Sequence, residues 1–143
     1  MVTIAMDQPE IDDLLRRGIV GRLAMVTSEG PYVVPLGYVF ENGRIGFHSS
    51  PKGRKVESFS KDHRVCFEVD EANPEITQYK SVLVFGTIEE TRDRETKLRI
   101  LKGLVEKYPT EKRRKTDFKE CVDEAAVFLI TPEKLTGKKR VAE

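Results

Sequence analysis

Residues 21–50 read GRLAMVTSEGPYVVPLGYVFENGRIGFHSS, and this stretch decides the fold. It divides into short runs rich in β-branched and aromatic residues, GRLAMVTS, PYVVPLGYVFE and RIGFHSS, which is the texture of strands. Asn42-Gly43 separates the last two runs, and both residues tolerate the positive φ that a tight hairpin requires. Glu29-Gly30 is a weaker signal of the same kind. The stretch therefore predicts a three-strand antiparallel meander.

On the N-terminal side, Asp12, Leu14, Leu15 and Ile19 follow Pro9 at near-helical spacing and Gly18 supplies a stop, so residues 10–17 predict a short helix. On the C-terminal side, Val56 and Phe59 recur among charged residues and predict a helix over about 52–61. HRVCFEVDE (63–71) and KSVLVFGTIEE (80–90) read as strands joined by a surface connection through Pro74. Gly86 inside the second marks a bulge. Leu98, Leu101, Leu104, Val105 and Tyr108 form an apolar stripe that predicts a helix over 93–108, with Asp93 and Glu95 early and Pro109 after it. Residues 110–123 are dominated by charged residues and read as a helical or mobile connection, AAVFLITP (125–132) reads as a final buried strand, and the tail GKKRVAE is expected to be solvated.

The expectation is a mainly β, antiparallel protein of about six strands with a few helices, forming one domain over residues 1–143. A small closed barrel suits so many strands in a short chain, because closure removes exposed edges.

Composition excludes several function classes. Lys plus Arg number 25 and Asp plus Glu 24, so no global field attracts nucleic acid or an anionic membrane. The basic clusters Lys112-Arg113-Arg114-Lys115 and Lys138-Lys139-Arg140 are not interleaved with aromatic stacking residues, which argues against nucleic acid. The longest apolar run, Ala125–Ile130, is far short of the roughly 18 to 20 residues of a membrane span. The N-terminus shows no basic region ahead of a hydrophobic stretch, so the expected compartment is the cytoplasm. Cys66 and Cys121 are 55 positions apart among apolar neighbours, which suits reduced packing residues and offers no metal site. His63 is read as exposed and without a role.

The segment that carries chemistry is FHSSPKGRK, residues 47–55. A strand ends in His48, Ser49 and Ser50, and a turn through Pro51 and Gly53 delivers Lys52, Arg54 and Lys55 to a predicted helix start. Serine hydroxyls and turn amides donate to phosphate oxygens, a guanidinium donates through a planar fork, and lysines add point charge. Taken alone, KGRK reads more readily as a solvated basic turn.

The blocks GRLAMVT, YVVPLGYVF, RIGFHSSPKGRKVE, HRVCFEVDE and YKSVLVFGTIEE occur in an order that resembles flavin-nucleotide-binding proteins of the pyridoxamine 5'-phosphate oxidase-like superfamily, in particular their nitroimidazole-resistance branch. The resemblance covers about residues 10–130. It implies an FMN-binding split β-barrel that works as a homodimer, with FMN held in two equivalent clefts between subunits. Carried over by position, His48 and Ser49 lie beside the ribityl and phosphate, Arg54 and Lys55 clamp the phosphate, and Ser50 and Lys52 are accessories. Pro35, Leu36 and Gly37 would line the ring, where small side chains let backbone groups approach. Tyr79, Lys80 and Ser81 match the place where the partner subunit reaches the cofactor.

Against these stand plainer readings: a strand kink at Pro35, an edge-guarding lysine at Lys80 and a structural His48. The chain lacks the C-terminal Arg-and-His substrate motif of true pyridoxamine-phosphate oxidases, so vitamin B6 oxidation is not expected. The resemblance implies an FMN-dependent oxidoreductase, a flavin reductase or nitroreductase-like enzyme, with NADH, NADPH or another small donor and a small acceptor. His48 is the one catalytic candidate. The alternatives are a non-enzymatic flavin-binding or storage protein, or a haem-binding split barrel with His48 as iron ligand.

Overall fold

The alternation read from the sequence becomes two-faced strands in the computed structural model, which describes residues 2–50, 53–109 and 122–141, except the side chain of Arg54. The elements in chain order are β1 (Val2–Ala5), α1 (Gln8–Arg17), β2 (Gly21–Thr27), β3 (Gly30–Leu36), β4 (Val39–Glu41), β5 (Arg44–Ser49), α2 (Arg54–Lys61), β6 (Arg64–Ala72), β7 (Tyr79–Thr91), α3 (Arg94–Lys107) and β8 (Ala126–Val141). Every described strand pairing is antiparallel.

The sheet runs β3-β2-β6-β7-β8-β5-β4, with β1 added to β8, so it has eight strands where about six were expected. The expected closed barrel is corrected as well: β3 and β4 end the path and do not pair, which is a split barrel. The expected meander is two hairpins at opposite ends of the sheet, because PYVVPLGYVFE breaks at Gly37 and Tyr38. Tyr38 causes the break. Its side chain is fully buried, its hydroxyl donates to the Leu15 carbonyl at 2.6 Å, and its ring meets Phe67 edge-on at 4.9 Å. A residue so anchored cannot continue β3 along β2. Pro31 and Pro35, which have no N–H to offer, fit β3 as an edge strand.

Leu23, Met25, Val65, Phe67, Val69, Val82, Val84 and Ile88 point inward at every second position and form the main core with Leu14 and Leu15 of α1. The apolar run of β8 is continuous because both faces are covered. Ala126, Phe128 and Ile130 enter the main core, while Val127 and Leu129 pack against Ile100 and Leu104 of α3. Gly46 of β5 makes room for that helix, since a Cβ there would lie 2.6 Å from the Ile100 Cδ1.

Two turn and bulge readings are met. Asn42 and Gly43 have φ of 52° and 72°. The β7–β8 register shifts between Phe85 and Gly86, with Gly86 opposite Pro132. The tail reading is overturned: residues 137–141 are strand, paired with β7 on one side and β1 on the other. Lys139 bonds Glu10 of α1 at 2.6 Å, and Gly137 lies against Met6 and Ile11. No helix among the described residues is long and apolar enough to cross a membrane.

Candidate functional site

β5 carries the first part of the candidate site to an open edge. One side of β5 pairs with β8 through Ser49, but the other pairs with β4 only as far as Val39↔Gly46. Beyond Gly46 the chain of β4 turns away at Tyr38, so Phe47, His48 and Ser49 border the split. Phe47 is buried and stacks on Phe128 with centroids 5.6 Å apart, which fixes the strand from below. His48 and Ser50 are exposed and Ser49 is half-buried.

Ser49 carries an informative atom. Its Oγ is buried and has no hydrogen-bond partner among the described residues. Four residues on, Gly53 holds φ 124°, a conformation open to glycine, and starts α2 with no side-chain cap. The other two helices are capped: Asp7 accepts from the Glu10 amide at 2.9 Å, and Asp93 accepts from the Thr96 amide at 3.0 Å. The α2 start thus has no side-chain cap from its own N-cap residue, and the amides of a helix's first turn favour an anion. Phe59, seated on Phe128 at 5.3 Å, holds α2 against the core. Lys55 is half-buried in the first turn of α2. Lys52 and the Arg54 side chain lie outside the described residues.

Across the split, Pro35 is exposed and Leu36 half-buried at the end of β3. Gly37 is exposed and lies against the Tyr108 ring, where a Cβ would come within 3.2 Å. Continuing the β4–β5 register would set Gly37 opposite His48, so the two stretches border one opening.

Tyr79, Lys80 and Ser81 are elsewhere. They open β7, half-buried, opposite Arg140, Lys139 and Lys138 of β8. Ser49 pairs with Ala126, at the other end of the β7–β8 ladder, where Val127 faces Thr91. Twelve positions along β7 separate Tyr79 from Thr91, about 40 Å of strand path at ~3.3 Å per residue. One chain does not bring these residues together. Tyr79 and Lys80 instead line a cleft of about 290 Å³ with Glu71, Asn73, Lys139 and Arg140. Glu71 is taken by Arg17, which also holds Asp13 at 2.8 Å and keeps both carboxyls below their ordinary range.

Sequence reading missed Lys107 and Tyr108 as polar residues. The Tyr108 hydroxyl accepts the Tyr38 amide at 3.1 Å and lies 2.7 Å from the Ile19 carbonyl, and Lys107 Nζ donates to the Tyr38 carbonyl at 3.0 Å. An apolar stripe that ends in a lysine and a tyrosine before Pro109 was the available signal. Lys139 and Arg140 were missed because the tail read as solvated. Cys66 is half-buried on the outer face of β6, where burial raises its thiol, and Cys121 lies outside the described residues. His63 is exposed, as read. Among the described residues no group of three or more His, Cys, Asp or Glu is placed to hold a metal.

With the split barrel and its opening in view, comparison with known proteins is decisive. The family model described as pyridoxamine 5'-phosphate oxidase matches residues 7–139. The chain belongs to the pyridoxamine 5'-phosphate oxidase family. Among solved structures, this family member is similar to a candidate 5-nitroimidazole antibiotic resistance protein of Bacteroides thetaiotaomicron, 25% identical, with TM-score 0.80 over 96% of this chain and 87% of that one. It is also similar to a FAD-binding protein of Mesorhizobium loti, 26% identical, with TM-score 0.79 over 99% of this chain and 100% of that one. An uncharacterised protein of Rhizobium meliloti (strain 1021) is 29% identical over 90 residues, 63% of this chain. That match spans 58% of the relative's length.

Proposed function

We propose that this chain binds FMN in two equivalent clefts of a homodimer and works as an FMN-dependent oxidoreductase, a flavin reductase or nitroreductase-like enzyme. The observation that carries the reading is the Ser49 Oγ, buried and unpartnered among the described residues beside an uncapped helix start. A buried hydroxyl without a partner costs about 1 to 3 kcal/mol, so its retention suits a ligand that supplies the acceptor. A phosphate monoester at the α2 start fits the donors present: Ser49 Oγ, the first amides of α2, and Lys55. The likeness to a protein described as FAD-binding supports a flavin nucleotide, which has a phosphate at the same place on its ribityl chain.

The homodimer rests on two observations. Ser49 and Tyr79–Ser81 lie at opposite ends of the β7–β8 ladder, and a two-fold partner can bring one end of its ladder to the other end of this one. The outer sheet face also exposes apolar side chains in one row across four strands. By register the row runs Val33, Ala24, Cys66, Phe85, with Val33 60% and Phe85 41% exposed. A second copy covering this row would remove it from water.

Bound flavin supplies hydride and electron transfer between a small donor and a small acceptor. The chain's own work is to hold the phosphate at Ser49 and α2, present backbone at Pro35–Gly37 to the ring, and limit water at the split. One fold hosts many activities, so the family description alone does not make the chain a vitamin B6 oxidase.

The test is an absorption spectrum of freshly purified protein, followed by anaerobic addition of NADH or NADPH. A flavin spectrum that bleaches is the expected result. A flavin that no donor reduces points to storage or presentation, a Soret band points to haem at His48, and a protein that stays colourless and takes up neither FMN nor FAD overturns the site. Thin-layer chromatography of heat-released cofactor separates FMN from FAD.

A further inference from the structure

The break between β3 and β4 makes the barrel split, and three elements converge on it. Tyr38 sits at the break with every polar group engaged. Its amide donates to the Tyr108 hydroxyl at 3.1 Å, its carbonyl accepts from Lys107 Nζ at 3.0 Å, and its own hydroxyl donates to the Leu15 carbonyl of α1 at 2.6 Å. The Tyr108 hydroxyl also reaches the Ile19 carbonyl, in the link from α1 to β2, at 2.7 Å. Lys107 Nζ lies over the Tyr38 ring at 3.8 Å from its centroid and 5.4 Å from that of Tyr108. Gly37, next to Leu36 and Pro35, also lies against the Tyr108 ring.

We propose that Lys107 and Tyr108, at the end of α3, are positioning residues that clamp the Gly37–Tyr38 crossing and so set the Pro35–Gly37 wall of the ligand cleft. The proposal rests on the flavin reading for the identity of the ligand, and on the hydrogen bonds at Tyr38 for the clamp itself. The backbone of the wall has few other ties among the described residues: β3 pairs only with β2, and Pro35 has no amide to donate. A shift of the α3 end therefore acts on Gly37 first, because Leu36 and the Tyr38 ring on either side of it are seated in the main core.

The clamp has a pH signature that a passive packing contact lacks. Burial alone lowers the Lys107 ammonium to about 8 from an ordinary value of 10.5. The titratable groups facing it are the phenols of Tyr38 and Tyr108, both raised by burial and so neutral across the range tested. Arg17 of α1 acts on the Tyr38 phenol, and Glu41 of β4 is held by Arg99 of α3. A lysine released to water regains its ordinary value, so between about 8 and 10.5 the closed clamp holds fewer protons than the open one. Linkage then favours the closed clamp as pH rises through this window.

The test compares FMN affinity, by fluorescence quenching, in the wild type and Lys107→Arg between pH 7 and 9.5. Arginine keeps its charge throughout, and a ratio of the two affinities cancels the titration of the flavin itself. The wild type should bind like Lys107→Arg at pH 7 and gain roughly fivefold on it by pH 9.5. Lys107→Met, never charged, should show no such gain with pH. Tyr108→Phe removes the acceptor of the Tyr38 amide, and exchange of that amide, read by NMR in the apo-protein, should accelerate about tenfold or more. A wild type that binds flavin with a ratio independent of pH, together with unchanged Tyr38 exchange in Tyr108→Phe, overturns the clamp. A wild type that takes up neither FMN nor FAD overturns the flavin reading instead, and the exchange measurement, which needs no ligand, still decides whether the α3 end holds the crossing.

Discussion

Tyr38 and Ser49 are both polar residues at the rim of the same split, and their surroundings differ in one respect. Around Tyr38 each donor and acceptor is matched within the chain: amide, carbonyl and hydroxyl all have partners from α1 or α3. Around Ser49, among the described residues, a buried hydroxyl has no partner and a helix start has no side-chain cap. Matched groups stabilise a fold, whereas unmatched ones next to an opening mark where a ligand completes the count. The two regions should therefore respond oppositely to mutation, one in stability and the other in binding.

The largest effect is expected at Tyr38. Tyr38→Ala removes a fully buried ring, its contact with Phe67 and the donor to Leu15, and should cost about 3 to 5 kcal/mol in urea denaturation. A cost below about 1 kcal/mol would show that the break at Gly37 and Tyr38 is not what holds β3 and β4 apart.

Next comes the phosphate clamp that the resemblance assigns to Arg54 and Lys55. Replacing both with Ala should weaken FMN by a few kcal/mol, since hydrogen bonds to charged groups are worth about 1.5 to 3 each. Denaturation midpoints should move little, because Lys55 lies in the first turn of a helix held instead by Phe59. Unchanged FMN affinity by titration would return KGRK to the plain reading of a solvated turn.

Ser49→Ala separates the two regions within one variant. It deletes a hydroxyl that has no partner among the described residues, so stability should hold or rise by up to about 1 kcal/mol, while FMN affinity falls about tenfold. A loss in both measurements would mean that the hydroxyl is bonded within the fold.

What was legible in the sequence follows the same division. Strands with one buried face announced themselves by alternation, and Asn42-Gly43 and Gly86 marked a turn and a bulge from single residues, because each needs a backbone that few residues adopt. The end of β8 did not, since Lys134, Lys138, Lys139 and Arg140 give it no apolar face and pairing with β1 and β7 holds it in place. β1 is short and wholly exposed, and so equally silent. The split itself was hidden in PYVVPLGYVFE, where one buried tyrosine outweighs the continuity of the run. The candidate residues from Ser49 to Lys55 were read together because they share one short block of sequence. The partners of Tyr38 come from positions 15, 107 and 108, and no local pattern links them.

The smallest effect concerns a third arrangement, where polar groups are partnered but share too few donors. On the outer face of β6, Glu68 and Asp70 both accept from Arg22 Nη1, at 3.2 and 2.9 Å. Burial first, then the neighbouring Asp70, push the Glu68 carboxyl up to about 7 from an ordinary 4.5. The folded chain then holds a proton that the unfolded chain has released, so this group's contribution to stability is complete below about pH 4.5 and is lost as pH rises through about 7. Glu68→Gln keeps a carbonyl for Arg22, gives Asp70 an amide donor and cannot ionise. It should be neutral at pH 4.5 and more stable than the wild type by up to about 1 kcal/mol at pH 8, read from urea midpoints at the two values. Equal stability at pH 8 would mean that Arg22 satisfies both carboxylates, and that sharing one donor is no different here from the full matching around Tyr38.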